Sequence, residues 1–90
     1  MIPRVRGSAI QKENGKWTFF LLVGFMGKEE CDEYNFNFDF DTKQEAISEL
    51  QQAAQVACEA IEKAVDGKPS GKYIDMKTNS TRLWDKSDLN

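Results

Sequence analysis

From Trp17 to Phe25 the chain reads Trp-Thr-Phe-Phe-Leu-Leu-Val-Gly-Phe, apolar at odd and even positions alike. Such a run predicts a strand covered on both faces. Upstream, Val5 to Lys12 is joined to it by Asn14-Gly15, a dipeptide that favours the type I′ hairpin turn because both of its residues tolerate positive φ. After a turn around Gly27-Lys28-Glu29-Glu30, residues 34–40 alternate strictly, with Tyr34, Phe36, Phe38 and Phe40 on one side and Asn35, Asn37 and Asp39 on the other. That period of two predicts an edge strand with one buried face. Four aromatic rings on one face need an element lying across them.

The next segment supplies one. Thr42-Lys43-Gln44-Glu45 has the form of a capping box, and Ile47, Leu50, Ala54, Ala57, Ile61 and Val65 then recur at spacings of three and four, the stripe of an amphipathic helix. Its alanines permit close approach to an aromatic-rich sheet face. Gly67 suits the left-handed position after a helix, and Pro69 bars continuation. The pattern predicts an α+β fold in the order β-β-β-α: a three-stranded antiparallel sheet packed on one long C-terminal helix, with residues 1–67 forming a single domain. Residues 68–90 shift to Gly, Pro, Ser, Asn, Thr and charges. They read as a partly ordered C-terminal tail with room for one short added strand over Tyr73 to Lys77 and an anchor at Leu83-Trp84.

Ninety residues, 40% apolar and 30% charged, suffice for one small domain. The net charge of -3 is unevenly spread: residues 41–66 carry two basic and six acidic side chains, residues 67–90 five and three. An acidic chain does not favour a polyanion as partner. The opening Met1-Ile2-Pro3-Arg4-Val5-Arg6 has no apolar signal core, and no stretch nears the roughly 18 apolar residues of a membrane span. Cys31 and Cys58 show no disulfide or metal spacing. These features predict a cytoplasmic chain in a reducing compartment, and leave the sequon Asn79-Ser80-Thr81 without meaning.

Histidine is absent, which removes the commonest general base and the commonest zinc ligand, and two cysteines do not complete a tetrahedral site. No GxGxxG, Walker A or GxSxG pattern occurs. Glu29-Glu30 and Asp32-Glu33 fall at a turn and read as solvated surface, not as an acid–base pair. Cys58, on the apolar side of the helix, reads as a small core residue. The expectation is a chain that is not an enzyme and holds no cofactor and no metal.

One feature of the second strand points to function. A helix covers one face of a three-stranded sheet, so either Phe19, Leu21 and Val23 or Phe20, Leu22 and Met26 are left over. Three covers compete: the tail, through Ile74, Met76, Leu83 and Trp84; a second copy of the chain; or a different protein. An apolar face of that size marks an interface. It predicts a small non-catalytic protein-interaction module, a homodimer or a binder of a protein partner, working through the sheet face opposite the helix or through a free strand edge, with Trp84 among the contacts.

Arg6-Gly7-Ser8-Ala9-Ile10, then Gly15-Lys16-Trp17, then Phe40-Asp41-Thr42-Lys43-Gln44-Glu45-Ala46 together resemble the arm-type, AP2-like DNA-binding domain at the amino end of phage and transposon tyrosine integrases. The likeness spans roughly residues 4–60. It implies three strands and a helix, an origin in a phage or mobile element, and a sheet face that enters the DNA major groove. Arg4, Arg6, Lys12, Lys16 and Trp17 would be the nucleic-acid contacts, assisted by the basic tail. The chain departs from that pattern at Asn35, Asn37 and Asp39, where a DNA reader carries basic residues, and at the acidic turn Glu29, Glu30, Asp32 and Glu33. Phosphate contacts supply most non-specific affinity, so these departures disfavour nucleic acid as the partner.

Overall fold

β1 (Pro3–Gln11) and β2 (Trp17–Phe25) pair antiparallel over nine residues each, from Pro3↔Phe25 to Gln11↔Trp17. Their turn differs from the type I′ expectation. Gly15 N–H donates to Lys12 O at 3.0 Å and Lys12 N–H to Lys16 O at 2.7 Å, which makes Glu13 and Asn14 the central turn residues and leaves Gly15, at φ +85°, as the left-handed bulge residue of a three-residue loop. The Asn14 side chain accepts from Lys16 N–H at 2.9 Å.

β2 continues through a turn closed by Lys28 N–H to Phe25 O, with Gly27 at φ +84°, into β3 (Glu30–Asn35). α1 (Lys43–Glu62) follows, and then β4 (Asn79–Leu83). This computed structural model describes residues 2–64, 69–75 and 79–89. Four strands form one antiparallel sheet in the order β1-β2-β3-β4. The expected three-stranded sheet with a C-terminal helix is thereby corrected: a fourth strand pairs with β3 from Glu30↔Leu83 to Tyr34↔Asn79, and the helix lies within the chain. The added strand falls at Asn79–Leu83; Tyr73–Asp75 form a turn instead, and Met76, Val65 and Gly67 lie outside the described residues.

β3 also begins and ends earlier than the aromatic alternation predicts. Between the pairs Phe20↔Asn35 and Trp17↔Phe40, β2 supplies Thr18 and Phe19 while the opposing chain supplies Phe36 to Asp39. Two extra residues disturb the ladder but preserve the parity of the faces. The buried Thr18 hydroxyl repairs the gap, donating to Phe36 O at 2.9 Å and accepting from Phe38 N–H at 3.1 Å. Phe36, Phe38 and Phe40 therefore stay on the helix side, where Phe36 and Phe38 lie 5.2 and 5.6 Å from the Phe19 ring.

Thr42 caps α1 by accepting from Glu45 N–H at 3.2 Å. The helix lies over β1 and β2 and buries Ala46, Ala53, Ala57 and Ile61 against Val5, Phe19, Leu21 and Val23. Its closest seat is at Gly7, where an added Cβ would stand 2.5 Å from Leu50 Cδ1. Tyr73 and Ile74 extend this core, with Tyr73 edge-on to Phe36 and bonded through its hydroxyl to Glu49.

Candidate functional site

Alternation along β2 sends Phe20, Leu22 and Gly24 to the face away from the helix, beside Arg4, Arg6 and Ser8 of β1 and Cys31 and Glu33 of β3. Around Gly24 and Leu22 that face is covered by the chain's own C-terminal segment, while Arg6, Ser8 and Ile10 on it are exposed. Trp84 lies on Gly24 so tightly that a Cβ there would meet its Cζ2 at 2.9 Å, and the Arg4 guanidinium sits 5.6 Å from the Trp84 ring centre. From Trp84 the chain turns through a 3₁₀ turn, Lys86–Leu89, bringing Ser87 and Asp88 to the rim of a groove of about 380 Å³ shared with Arg6, Ser8 and Phe20. Leu22, between Gly24 and Phe20, is 0% exposed.

Arg82 holds this cover in place. It reaches Asp88 at 3.1 Å, Asp85 at 3.4 Å and Glu33 at 3.6 Å. Burial alone would lower its pKa, but Asp88 and the other nearby negative groups outweigh that and raise it. Burial raises the neighbouring Cys31 thiol, and Arg82 draws it part of the way back. Both cysteines are free.

The interface candidates thus separate. Phe19, Leu21 and Val23 belong to the helix-side core, Leu22 lies beneath the C-terminal segment, and Phe20 is half-buried beside it. Trp84 faces inward as the cover itself. Met26, 50% exposed, remains in solvent at the second turn, bonded through its N–H to Ile2 O. Of the three covers set out for that face, the chain's own C-terminal segment is the one seen, through Trp84 over Gly24, whereas Ile74 joins the helix-side core and Leu83 is 61% exposed.

The nucleic-acid candidates do not converge either. Arg4 lies against Trp84, while Lys12 is paired with Asp39 at 2.7 Å and Lys16 with Asp41 at 2.5 Å at the far end of the first hairpin. The Lys12 ammonium, first among its causes, holds the Asp39 carboxyl below its ordinary value, and Asp41 raises Lys16. Trp17 stands on the helix side under the Lys43 ammonium at 5.8 Å. No three His, Cys, Asp or Glu side chains among the described residues are grouped to hold a metal ion, and no described helix is long and apolar enough to cross a membrane.

What remains open is an edge. Lys12 N–H bonds to Lys16 O and Met26 N–H to Ile2 O, so the even residues of β1 direct their backbone groups at β2 and the odd ones direct theirs outward. Pro3, with no N–H, occupies such an outward position. Among the described residues, Val5, Gly7 and Ala9 present unshared backbone along the outer side of the strand, apart from one bond: Arg6 Nη1 donates to Val5 O at 3.0 Å. The opposite edge, β4, is five residues long and carries a matching clasp, Arg82 Nη1 to Leu83 O at 3.1 Å. Sequence reading allowed for a free strand edge without saying which, although the first strand of a meander lies at a margin and Pro3 marks it. Nothing in the local sequence singles out Arg82 as the hub of the cover.

No protein-family model matches the chain, and no curated protein or solved structure is significantly similar to it.

Proposed function

We propose that the chain is a small non-catalytic protein-interaction module that receives an extended strand along the free edge of β1. One observation carries this reading: Val5, Gly7 and Ala9 direct backbone donors and acceptors outward from a nine-residue strand, while the helix covers one face of the sheet and the C-terminal segment covers Gly24 and Leu22 on the other. Strand addition to such an edge draws affinity from main-chain hydrogen bonds and specificity from alternate side chains. On the far side of the edge those side chains are Arg4, Arg6, Ser8 and Ile10; on the helix side they are Val5 and Ala9.

The test is selection of displayed peptides of about ten residues, the length of an ordinary to long strand, against the wild type and Ala9→Pro. Proline at an outward position leaves the β1–β2 ladder intact but removes a donor from the edge and places a ring in its path. Peptides that bind the wild type and lose about tenfold or more on Ala9→Pro, roughly 1.4 kcal/mol, support the reading. Peptides held equally by both proteins overturn it, as does a wild type that neither captures peptides nor self-associates.

A further inference from the structure

The strand that β1 accepts is its own counterpart. We infer that two copies of the chain pair β1 against β1, antiparallel and centred on Gly7, to form one continuous eight-stranded sheet. The inference rests on the edge reading above and names its partner.

Register follows from the residues. Gly7 is the midpoint of Pro3–Gln11, so a two-fold axis through it pairs the whole strand with itself. Val5 then exchanges its outward bonds with Ala9 of the second copy, and Gly7 with Gly7. On the far side Arg6 faces Ser8 and Arg4 faces Ile10, so no like charges stand directly opposite each other. A shift that centres the axis on Arg6 sets two guanidinium groups face to face, and one that centres it on Ser8 opposes Arg4 to Lys12. The Arg6 guanidinium, now folded onto the Val5 carbonyl, turns to the facing Ser8 hydroxyl when a strand takes that carbonyl over.

The helix supplies a second, independent observation. Glu49 and Ala60 lie on the flank of α1 that meets Tyr73 and Gly71. At about 100° per residue the opposite flank holds Ile47, Gln51, Ala54 and Cys58. Tyr73 stands over Phe36 on the β3 side of the sheet, and Leu50 sits over Gly7 of β1, so the opposite flank of the helix faces the β1 edge. Glu62 borders that flank one turn beyond Cys58, and Ile47, Ala54 and Cys58 are each half-buried. Because α1 rides over the β1–β2 pair, strands spaced about 4.8 Å apart set the two helix axes about 10 Å apart, the distance of direct helix packing. Small residues there let the helices close, with Gln51 near the axis.

Across the new edge the even residues of β1 form non-hydrogen-bonded pairs, whose Cα separation of about 4.5 Å suits a disulfide. In a Cys58→Ala background, Arg6→Cys and Ser8→Cys proteins are purified separately, mixed and mildly oxidised, with Arg4→Cys and Ile10→Cys as a second pair. Each mixture is expected to give a cross-linked heterodimer, and each protein alone none. Sedimentation of the wild type should show a dimer that Ala9→Pro converts to monomer and that exposed Gln51→Lys weakens about tenfold or more. Self-linking of Arg6→Cys alone places the axis elsewhere and overturns the inference. So does a wild type that stays monomeric at about millimolar concentration, where the weakest specific contacts form. If that monomer still captures strand peptides in an Ala9→Pro-sensitive way, the second copy falls and the edge reading stands; if it captures none, both fall.

Discussion

Thr18 shows how much one hydroxyl can settle. It is 3% exposed and satisfies both Phe36 O and Phe38 N–H where the ladder is interrupted. Thr18→Val keeps the shape and strands both backbone groups in a dry site, which should lower stability by about 1 to 3 kcal/mol. Thr18→Ser retains the hydroxyl and should stay near the wild type in urea unfolding. Equal midpoints for the two variants would mean that water reaches the gap. Gly24 offers a second residue-scale test: an Ala Cβ meets Trp84 Cζ2 at 2.9 Å and Glu30 O at 3.1 Å, so Gly24→Ala must lift the indole, at about 1 to 3 kcal/mol, with a shift in tryptophan emission.

Titration supplies a third. Burial, and after it the Asp32 carboxylate, raises the Tyr34 phenol, and burial raises the Cys31 thiol. Each group is neutral when protonated, so the folded chain keeps these protons to higher pH than the unfolded one. The stability they contribute is complete below their ordinary values, about 8.5 for a thiol and 10 for a phenol, and is lost as pH rises through the folded values. Urea midpoints should therefore fall from about pH 8.5 upward, and Tyr34→Phe, which keeps the ring, should flatten the decline above about pH 10. An unchanged profile for Tyr34→Phe would remove Tyr34 as the cause.

At the scale of elements, periodicity carried far. The doubly apolar run of β2 is buried on both sides, and the aromatic side of residues 34–40 does face the helix that Thr42 caps. Three features lay outside its reach. The first turn uses Asn14-Gly15 one position later than a two-residue loop, because a type I turn closed by Gly15 N–H competes with type I′ at the same dipeptide. The bulge opposite Thr18 preserves parity, so alternation alone does not reveal it. β4, Asn-Ser-Thr-Arg-Leu, has no alternation and one apolar residue, Leu83, and is held by pairing with β3 and by Arg82, both long-range effects.

That dependence makes the C-terminal segment testable as a unit. Removing residues 79–90 uncovers Leu22 and Cys31 and frees the β3 edge, and burying such a leucine is worth roughly 1.5 to 3 kcal/mol. The truncated chain should bind an apolar-surface dye, unfold at lower urea and associate. A truncated protein as stable, as soluble and as silent to the dye as the full chain would deny the segment its covering role. Trp84→Ala in the full chain should show the same dye binding in weaker form.

For the whole molecule, the placement of charge bears on the two kinds of partner that the sequence brought forward. The face opposite the helix does carry Arg4 and Arg6, two of the contacts that the arm-type resemblance implies, and beside them Arg82. In three dimensions Arg82 is answered by Glu33, Asp85 and Asp88, and Lys12 and Lys16 by Asp39 and Asp41. Trp84 and the 3₁₀ turn lie over part of the face that a duplex would contact. A duplex would have to displace that cover, break these pairs and approach a chain of net charge -3, and the counterions released by Arg4 and Arg6 alone give a shallow salt dependence. Retention on duplex DNA should therefore be weak at low salt, with Kd no tighter than the non-specific range of about 10⁻⁶ to 10⁻⁴ M, and absent at moderate salt. Under the same conditions the β1-edge pairing that the cross-link reports, held by backbone bonds and small side chains on the helix flank, should persist as salt rises. Sequence-specific binding at about 10⁻⁸ M in physiological salt, lost on Arg6→Ala and accompanied by release of Trp84 from Gly24, would instead make the C-terminal segment a cover over a DNA-reading face. Measuring duplex retention and cross-linking in one salt series separates the two outcomes, because salt removes the first and spares the second.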